Sequence, residues 1–275
     1  YSCTMDHNQI IEHYRGEGVS KNISFEGTNL SLREFEGSSD EDVTLIGVAG
    51  GPGGPKQHMA PLSTLSKDGY DVVLYDQHNV GKSGDHANPY SMETFVDELE
   101  QVVSNYETPV VVGHSWGAIL ALEYVTKKDD LSGAVTVAPL FDTNDSIQIA
   151  RTRRAEIIDR KEADLLSKLE TDEPESFAME RINNEVDSVL GFNTEAPRFL
   201  ERWVFDEFNE DMYEQMWGDS EYGPTKNCEL SDWSVKSSLD DIECPVLMVT
   251  GIDDGFGYHD LFYARNRMSC DSTVD

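Results

Sequence analysis

The sequence predicts a mostly parallel α/β sheet interrupted by a helical insertion, and three observations lead there. Five short apolar runs, nearly continuous and bounded by Gly, Pro or Asp, recur along the chain. Helical periods separate the first four. Nearly a hundred residues without such a run then divide the fourth from the fifth. Alternating β and α segments give a parallel sheet with helical crossovers, and a helical insertion between two strands gives a cap over one edge of it.

Taken in order, the first run is 43–50, "VTLIGVAG", and the second is 71–76, "DVVLYD". The third is 109–113, "PVVVG", followed by 133–139, "GAVTVAP", and 245–251, "PVLMVTG". Unbroken β-branched runs of this length mark strands buried on both faces, as a parallel sheet requires. Helical patterns lie at 57–67, 91–105 and 116–128. From 141 to 238 the chain is charged and helical in period, as in "RTRRAEIIDRKEADLLSKLE" and "APRFLERWVFDEFNEDMYEQM". The division expected is a core over 1–140, a helical cap over 141–238, and the rest of the core over 239–275.

Charge narrows the partners. The chain carries 53 Asp and Glu against 21 Lys and Arg, a formal net of −32. The excess is spread through "EGSSDEDV", "VDELEQ", "KLETDEPE", "FDEFNEDMYEQ" and "SLDDIE" rather than held in one tail. Such a surface repels nucleic acid and anionic membranes, so neither is expected as a partner. It also repels itself, which salt relieves, so adaptation to a high-salt cytoplasm is expected. The four cysteines, Cys3, Cys228, Cys244 and Cys270, include no CxxC pair and match no zinc spacing. They read as free thiols in a reducing compartment, with neither metal nor cofactor called for. No 18-residue apolar run and no leader pattern occur. An opening Tyr in place of Met reads as the loss of some N-terminal sequence.

The chemistry centres on "VVVGHSWGAIL", 110–120. Gly113-x-Ser115-x-Gly117 follows a strand and opens a helix, the context of a nucleophile elbow in an α/β-hydrolase. Ser115 is the candidate nucleophile, and the Trp116 amide, at the helix N-terminus, can donate to an oxyanion. His114 reads as packing, because its side chain should point away from the serine's reacting face. The turn "AGGPGGP" at 49–55 follows the first strong strand, where a glycine amide can supply a second donor. Gly51 is the choice, with Gly50 its alternative.

These motifs together resemble the proline iminopeptidases, serine aminopeptidases of the α/β-hydrolase fold. "GGPGGP" at 50–55 is similar to that family's HGGPG loop, and "YDQHNVGKS" at 75–83 to its DQxGxGxS segment. "GHSWG" resembles its elbow; "YEQMWGDSEY" at 213–222, "DW" at 232–233 and "PVLMVTGIDD" at 245–254 resemble its late cap and acid strand. The resemblance implies release of an N-terminal residue, proline or another small or apolar one, from a short peptide through an acyl-enzyme. It implies Ser115 as nucleophile, Gly51 and Trp116 as the oxyanion hole, and Asp254 as the orienting acid, with Asp253 beside it. It also implies that Glu221 holds the substrate's α-ammonium. The chain departs from the family at Ala49, often histidine there, at His78-Asn79-Val80, and at Gly255, where close relatives carry a second amine-binding glutamate. A small-molecule esterase, lactonase or C–C hydrolase, or a binding protein without a working triad, uses the same scaffold.

The catalytic histidine is the missing piece. Chain order in this fold is Ser, acid, His. Only His259 follows Asp254, five residues on and inside a helical pattern, too close to the acid strand to reach the serine. His7 and His13 precede the first clear strand, and His58, His78 and His86 fall in early loops or helices. "DSTVD" reads as the start of the last strand, so the body of that strand, the histidine loop and the last helix are expected beyond residue 275.

Overall fold

A computed structural model describes residues 5–38, 43–87, 90–172, 203, 206–218, 228–251, 254 and 259–275. Eight strands form one sheet in the order β1-β2-β4-β3-β5-β6-β7-β8. They are β1 (Val19–Phe25), β2 (Thr28–Phe35), β3 (Val43–Val48), β4 (Asp71–Tyr75), β5 (Thr108–His114), β6 (Gly133–Val137), β7 (Val246–Val249) and β8 (Ser272–Val274). From β4 to β8 every pairing is parallel; β1 with β2 and β2 with β4 are antiparallel.

All five predicted runs are strands. The central ones are buried as their unbroken apolar sequences require: Ile46, Val48, Val72, Leu74 and Val111 are all essentially inaccessible. Two strands had no such signature. β1 carries "VSKNISF" and buries only Ile23 and Phe25. Its hairpin to β2 turns on Glu26 and Gly27, both at positive φ (42° and 88°), as a tight two-residue turn needs. A half-exposed antiparallel edge has no need of a continuous apolar run, so the criterion that finds the central strands passes over it. At the other edge, Ser272–Val274 already pairs with β7 as an eighth strand. This is the strand start expected in "DSTVD", and the ladder runs on to Asp275, whose amide donates to the Met248 carbonyl at 3.0 Å.

Helix α1 (His7–Glu17) begins with a capping box made by Asp6 and Gln9. Helices α2 (Met92–Val103) and α3 (Trp116–Val125) fall where the periodicity puts them. Residues 57–67, expected to be helical, lie in a 3-10 helix, Lys56–Asp68, that contains Pro61; proline's missing N–H and ring bulk disfavour an α-helical ladder. Between β6 and β7 the described residues hold α4 (Thr143–Ile157), α5 (Arg160–Asp172), α6 (Glu210–Met216) and a 3-10 turn, Lys236–Asp241. The two ends of this stretch are tied together: Thr143 donates to the Trp233 carbonyl at 3.0 Å and Val235 to the Phe141 carbonyl at 2.9 Å. The chain thus leaves the sheet and returns to it at one point. Helix α7 (His259–Arg267) then precedes β8.

Candidate active site

Ser115 joins β5 to α3 with φ 51° and ψ −114°, a conformation that L-residues avoid. The turn is held on both sides. The Ser115 amide donates to the Val137 carbonyl at 2.9 Å, and its carbonyl accepts from Ala118 and Ile119, starting the helix. The flanking glycines have no room for a side chain. A Cβ on Gly113 would fall 2.0 Å from the Gly117 carbonyl oxygen, and one on Gly117 would fall 2.2 Å from the Val48 carbonyl oxygen. The elbow is therefore pressed against the end of β3, and the serine is left half-buried at the sheet's carboxyl edge. Trp116 occupies the first turn of α3, where backbone amides have no partner inside the helix, and its indole donates to Gln77 at 3.0 Å.

The loop after β3 comes to the same edge. Gly51 takes φ 61° and Gly53 φ 98°, both left-handed, and the Gly51 carbonyl accepts from the Gly54 amide at 2.9 Å. Gly50 packs on the residue before the serine: a Cβ there would lie 2.4 Å from His114 Nδ1. His114 thus lies against the glycine loop.

His58 completes this layer. Its ring is 5.1 Å from that of His114, and burial, reinforced by His114 and opposed by a hydrogen bond with the Gly50 backbone, lowers its pKa to about 4. His114 is also lowered, by burial, with Asp254 pulling it back up. Asp254 therefore lies within electrostatic reach of the residue adjoining Ser115. Its amide donates to the Gly251 carbonyl at 3.1 Å in the loop after β7. Ser115, Gly51, Trp116 and Asp254 all belong to connections at the carboxyl ends of β3, β5 and β7. Glu221, Asp253 and Gly255 lie outside the described residues.

The DQxxxGxS segment forms the support beneath. Asp76 is fully buried and accepts from the Lys56 amide at 2.7 Å, from the Lys82 amide at 2.9 Å, and from the Lys56 ammonium in a short ion pair. Gly81 must lack a side chain, since a Cβ would lie 2.6 Å from the Asp76 carboxyl. Ser83 donates to the Asp76 carbonyl at 2.6 Å and accepts from the Ser31 amide at 2.9 Å, tying the turn to β2. His78 is buried: its Nδ1 is 2.6 Å from Glu98, and its ring stacks on Phe95 at 4.8 Å. Burial raises the Glu98 pKa, and His78 opposes that rise.

Sequence reasoning missed Asn209. Its side chain caps α6 through the Met212 amide at 2.9 Å and donates to the Asn79 carbonyl at 2.7 Å, while its own amide donates to Gly53 at 3.0 Å. One residue thus clamps the insertion to both the glycine loop and the DQxxxGxS turn. Beside it, Phe208 and Tyr213, with ring centroids 5.9 Å apart, place an aromatic wall over Gly51. An Asn before a helical run is a legible cap, but its other two partners are distant in sequence.

Three histidines are committed elsewhere. His13 bonds the Ser63 carbonyl at 3.0 Å, His78 bonds Glu98, and His86 pairs with Glu26 at 3.2 Å. Among the described residues no group of three or more metal-binding side chains occurs, and no helix is long and apolar enough to cross a membrane.

Comparison with known proteins agrees with this architecture. A proline iminopeptidase of Heyndrickxia coagulans is 27% identical over 247 residues, covering 83% of this chain and 80% of its own length. One from Saccharolobus solfataricus is 28% identical over 235 residues, covering 82% and 74%. The crystal structure of a Mycobacterium smegmatis proline iminopeptidase superposes with a TM-score of 0.79 at 21% identity, covering 93% of this chain and 89% of that one. The sequence also matches the Alpha/beta hydrolase family across residues 45–273, within which lie the elbow, the glycine loop and the β7 turn. On that match and the eight-stranded sheet, the chain belongs to the alpha/beta hydrolase family.

Proposed function

We propose that this protein is a serine hydrolase of the aminopeptidase type, releasing an N-terminal residue, proline or another small or apolar one, from short peptides. The carrying observation is the Ser115 elbow: φ 51°, flanked by two glycines that admit no Cβ. Strain of this kind persists only where the surroundings impose it, and it clusters at functional sites. The similarity to proline iminopeptidases supports the peptide substrate.

In this reading Ser115 Oγ attacks the carbonyl carbon of the N-terminal residue as a histidine takes its proton. The role of that base falls to a histidine other than His13, His78 and His86, which are held by Ser63, Glu98 and Glu26. Asp254 orients the base and stabilises its protonated form. The carbonyl oxygen becomes an oxyanion and accepts from the Gly51 and Trp116 amides, fixed dipoles that need no rearrangement as charge develops. Collapse expels the shortened peptide as an amine, which receives the proton, and leaves the residue esterified to Ser115. Water, deprotonated by the same base, then frees the amino acid. The aromatic wall of Phe208 and Tyr213 borders the space an apolar side chain or pyrrolidine ring would enter, and Glu221 is assigned the substrate ammonium.

A fluorophosphonate probe and a prolyl anilide test this together. Labelling is expected at Ser115, and Ser115→Ala should abolish both labelling and turnover by at least about a thousandfold. Undiminished turnover in Ser115→Ala would refute the assignment.

A further inference from the structure

Two of the cysteines, 26 positions apart in sequence, lie just ahead of two adjoining strands. In the parallel ladder of β7 with β8, Val246 pairs with Ser272, Leu247 with Thr273 and Met248 with Val274. The Val246 amide continues the ladder backwards, donating to the Asp271 carbonyl at 3.0 Å. Carried back two residues ahead of each strand, that register sets Cys244 opposite Cys270, and Cys270 lies close enough to act electrostatically on the Cys244 thiol. Both cysteines lie in bends just ahead of the strands, on either side of the Val246–Asp271 bond. Both cysteines pack against the same core as Val246, Met248 and Val274, while Leu247 is exposed. Neighbouring strands are about 4.8 Å apart, inside the Cα separations of about 4.4–6.8 Å that disulfides span. Cys228 is remote from this pair, with its thiol donating to the Trp217 carbonyl at 3.2 Å.

We propose that Cys244 and Cys270, free thiols in this structure, form a dithiol site that a low-molecular-weight disulfide oxidises to a bond stapling β7 to β8. The staple joins the amino-terminal ends of these strands, whereas Asp254 follows the carboxyl end of β7. It therefore locks the edge of the sheet that supports the acid loop without entering the reacting space.

The exchange balances. The Cys270 thiolate attacks one sulfur of oxidised glutathione, breaking its S–S bond and releasing one glutathione thiolate. The Cys244 thiolate then attacks the Cys270 sulfur and releases the second. The two protons given up by the cysteines go to the two glutathione thiolates. The protein pair is oxidised by two electrons and the glutathione disulfide is reduced by two. Burial pushes the Cys244 thiol up to about 11, with Cys270 adding to the rise, and burial raises the Cys270 thiol as well. Since the thiolate is the reacting species and both thiols are raised, the rate should climb nearly tenfold for each pH unit around neutrality.

The test incubates the folded protein with oxidised glutathione at pH 7.5 and 8.5, then maps non-reduced peptides by mass spectrometry. A Cys244–Cys270 cross-link, two mass units lighter than the reduced pair, is expected, forming about tenfold faster at the higher pH. Closing a loop of roughly 25 residues should raise Tm by about 5–10 °C, reversed by a reducing thiol. Cys244→Ser and Cys270→Ser should each lose the cross-link and the Tm rise while keeping peptidase activity. Stable glutathione adducts on both cysteines, a predominant cross-link through Cys3 or Cys228, or a cross-link without any Tm rise would overturn the proposal. None of these outcomes depends on which substrate the enzyme cleaves.

Discussion

Replacing His58 with glutamine should change how stability depends on pH. In the folded protein the His58 ring is buried against His114, and its pKa falls from 6.5 to about 4. Between those values the unfolded chain holds a proton that the folded chain refuses. The sign follows: the site costs nothing above pH 6.5, and stability is lost progressively as pH falls toward 4. At about 1.4 kcal/mol per pH unit, lowering the pH from 7.5 to 4.5 costs the wild type about 2.5 kcal/mol through this ring alone. His58→Gln has no such ring to protonate. It will be less stable at pH 7.5 through lost packing and the lost bond with the Gly50 backbone, but the gap should narrow by about 2.5 kcal/mol at pH 4.5. Urea unfolding of both proteins at both pH values in molar KCl measures this directly, because the carboxylates titrate in both and cancel. His114 is lowered by its own burial, and it too is present in both proteins. A gap that stays constant within about 0.5 kcal/mol, the usual limit of additivity, would show that His58 is not held neutral by its surroundings.

Gly117→Ala puts a methyl 2.2 Å from the Val48 carbonyl oxygen; backbone must move, at about 1–3 kcal/mol of stability, and kcat should fall by about a hundredfold through the displaced serine, read by steady-state kinetics beside a melting curve. Glu221→Gln, if Glu221 anchors the amine, should raise KM for a free-amine substrate by roughly tenfold or more, the loss of one charge-assisted contact, and leave a simple acyl ester little changed; equal losses on both would dismiss it as the anchor. Finally, with a net charge of −32, Tm should rise between dilute and molar KCl as the Debye length shrinks to about 3 Å; a Tm independent of KCl would argue against salt adaptation.

The sheet's centre and the elbow were legible in the sequence because each is dictated locally. A strand buried on both faces must be apolar throughout, and the five runs announced β3 to β7 within a few residues. Gly113 and Gly117 were readable for the same reason, since a strand-to-helix turn this tight admits only glycine. The hairpin β1–β2 was not readable: an edge strand that buries two residues of seven carries little periodicity. The helix expected at 57–67 became 3-10, because Pro61 interrupts a pattern that otherwise reads as amphipathic.

What only the tertiary structure decided are the meetings between segments far apart in sequence. Asn209 reads as a cap, yet its bonds to Gly53 and Asn79 join the insertion to loops more than a hundred residues earlier. His58 reads as one histidine in an early helix, and its depressed pKa exists only because folding sets it against His114 beneath Gly50. Cys244 and Cys270 carry no motif; the pairing of β7 with β8 brings the two bends ahead of these strands close enough for Cys270 to act on the Cys244 thiol. Propensity, turn chemistry and periodicity act over a few residues and are written in the chain. Burial, register and electrostatic reach arise only when distant segments share one solvent-excluded space, and that sharing is a property of the sheet order rather than of any stretch of sequence.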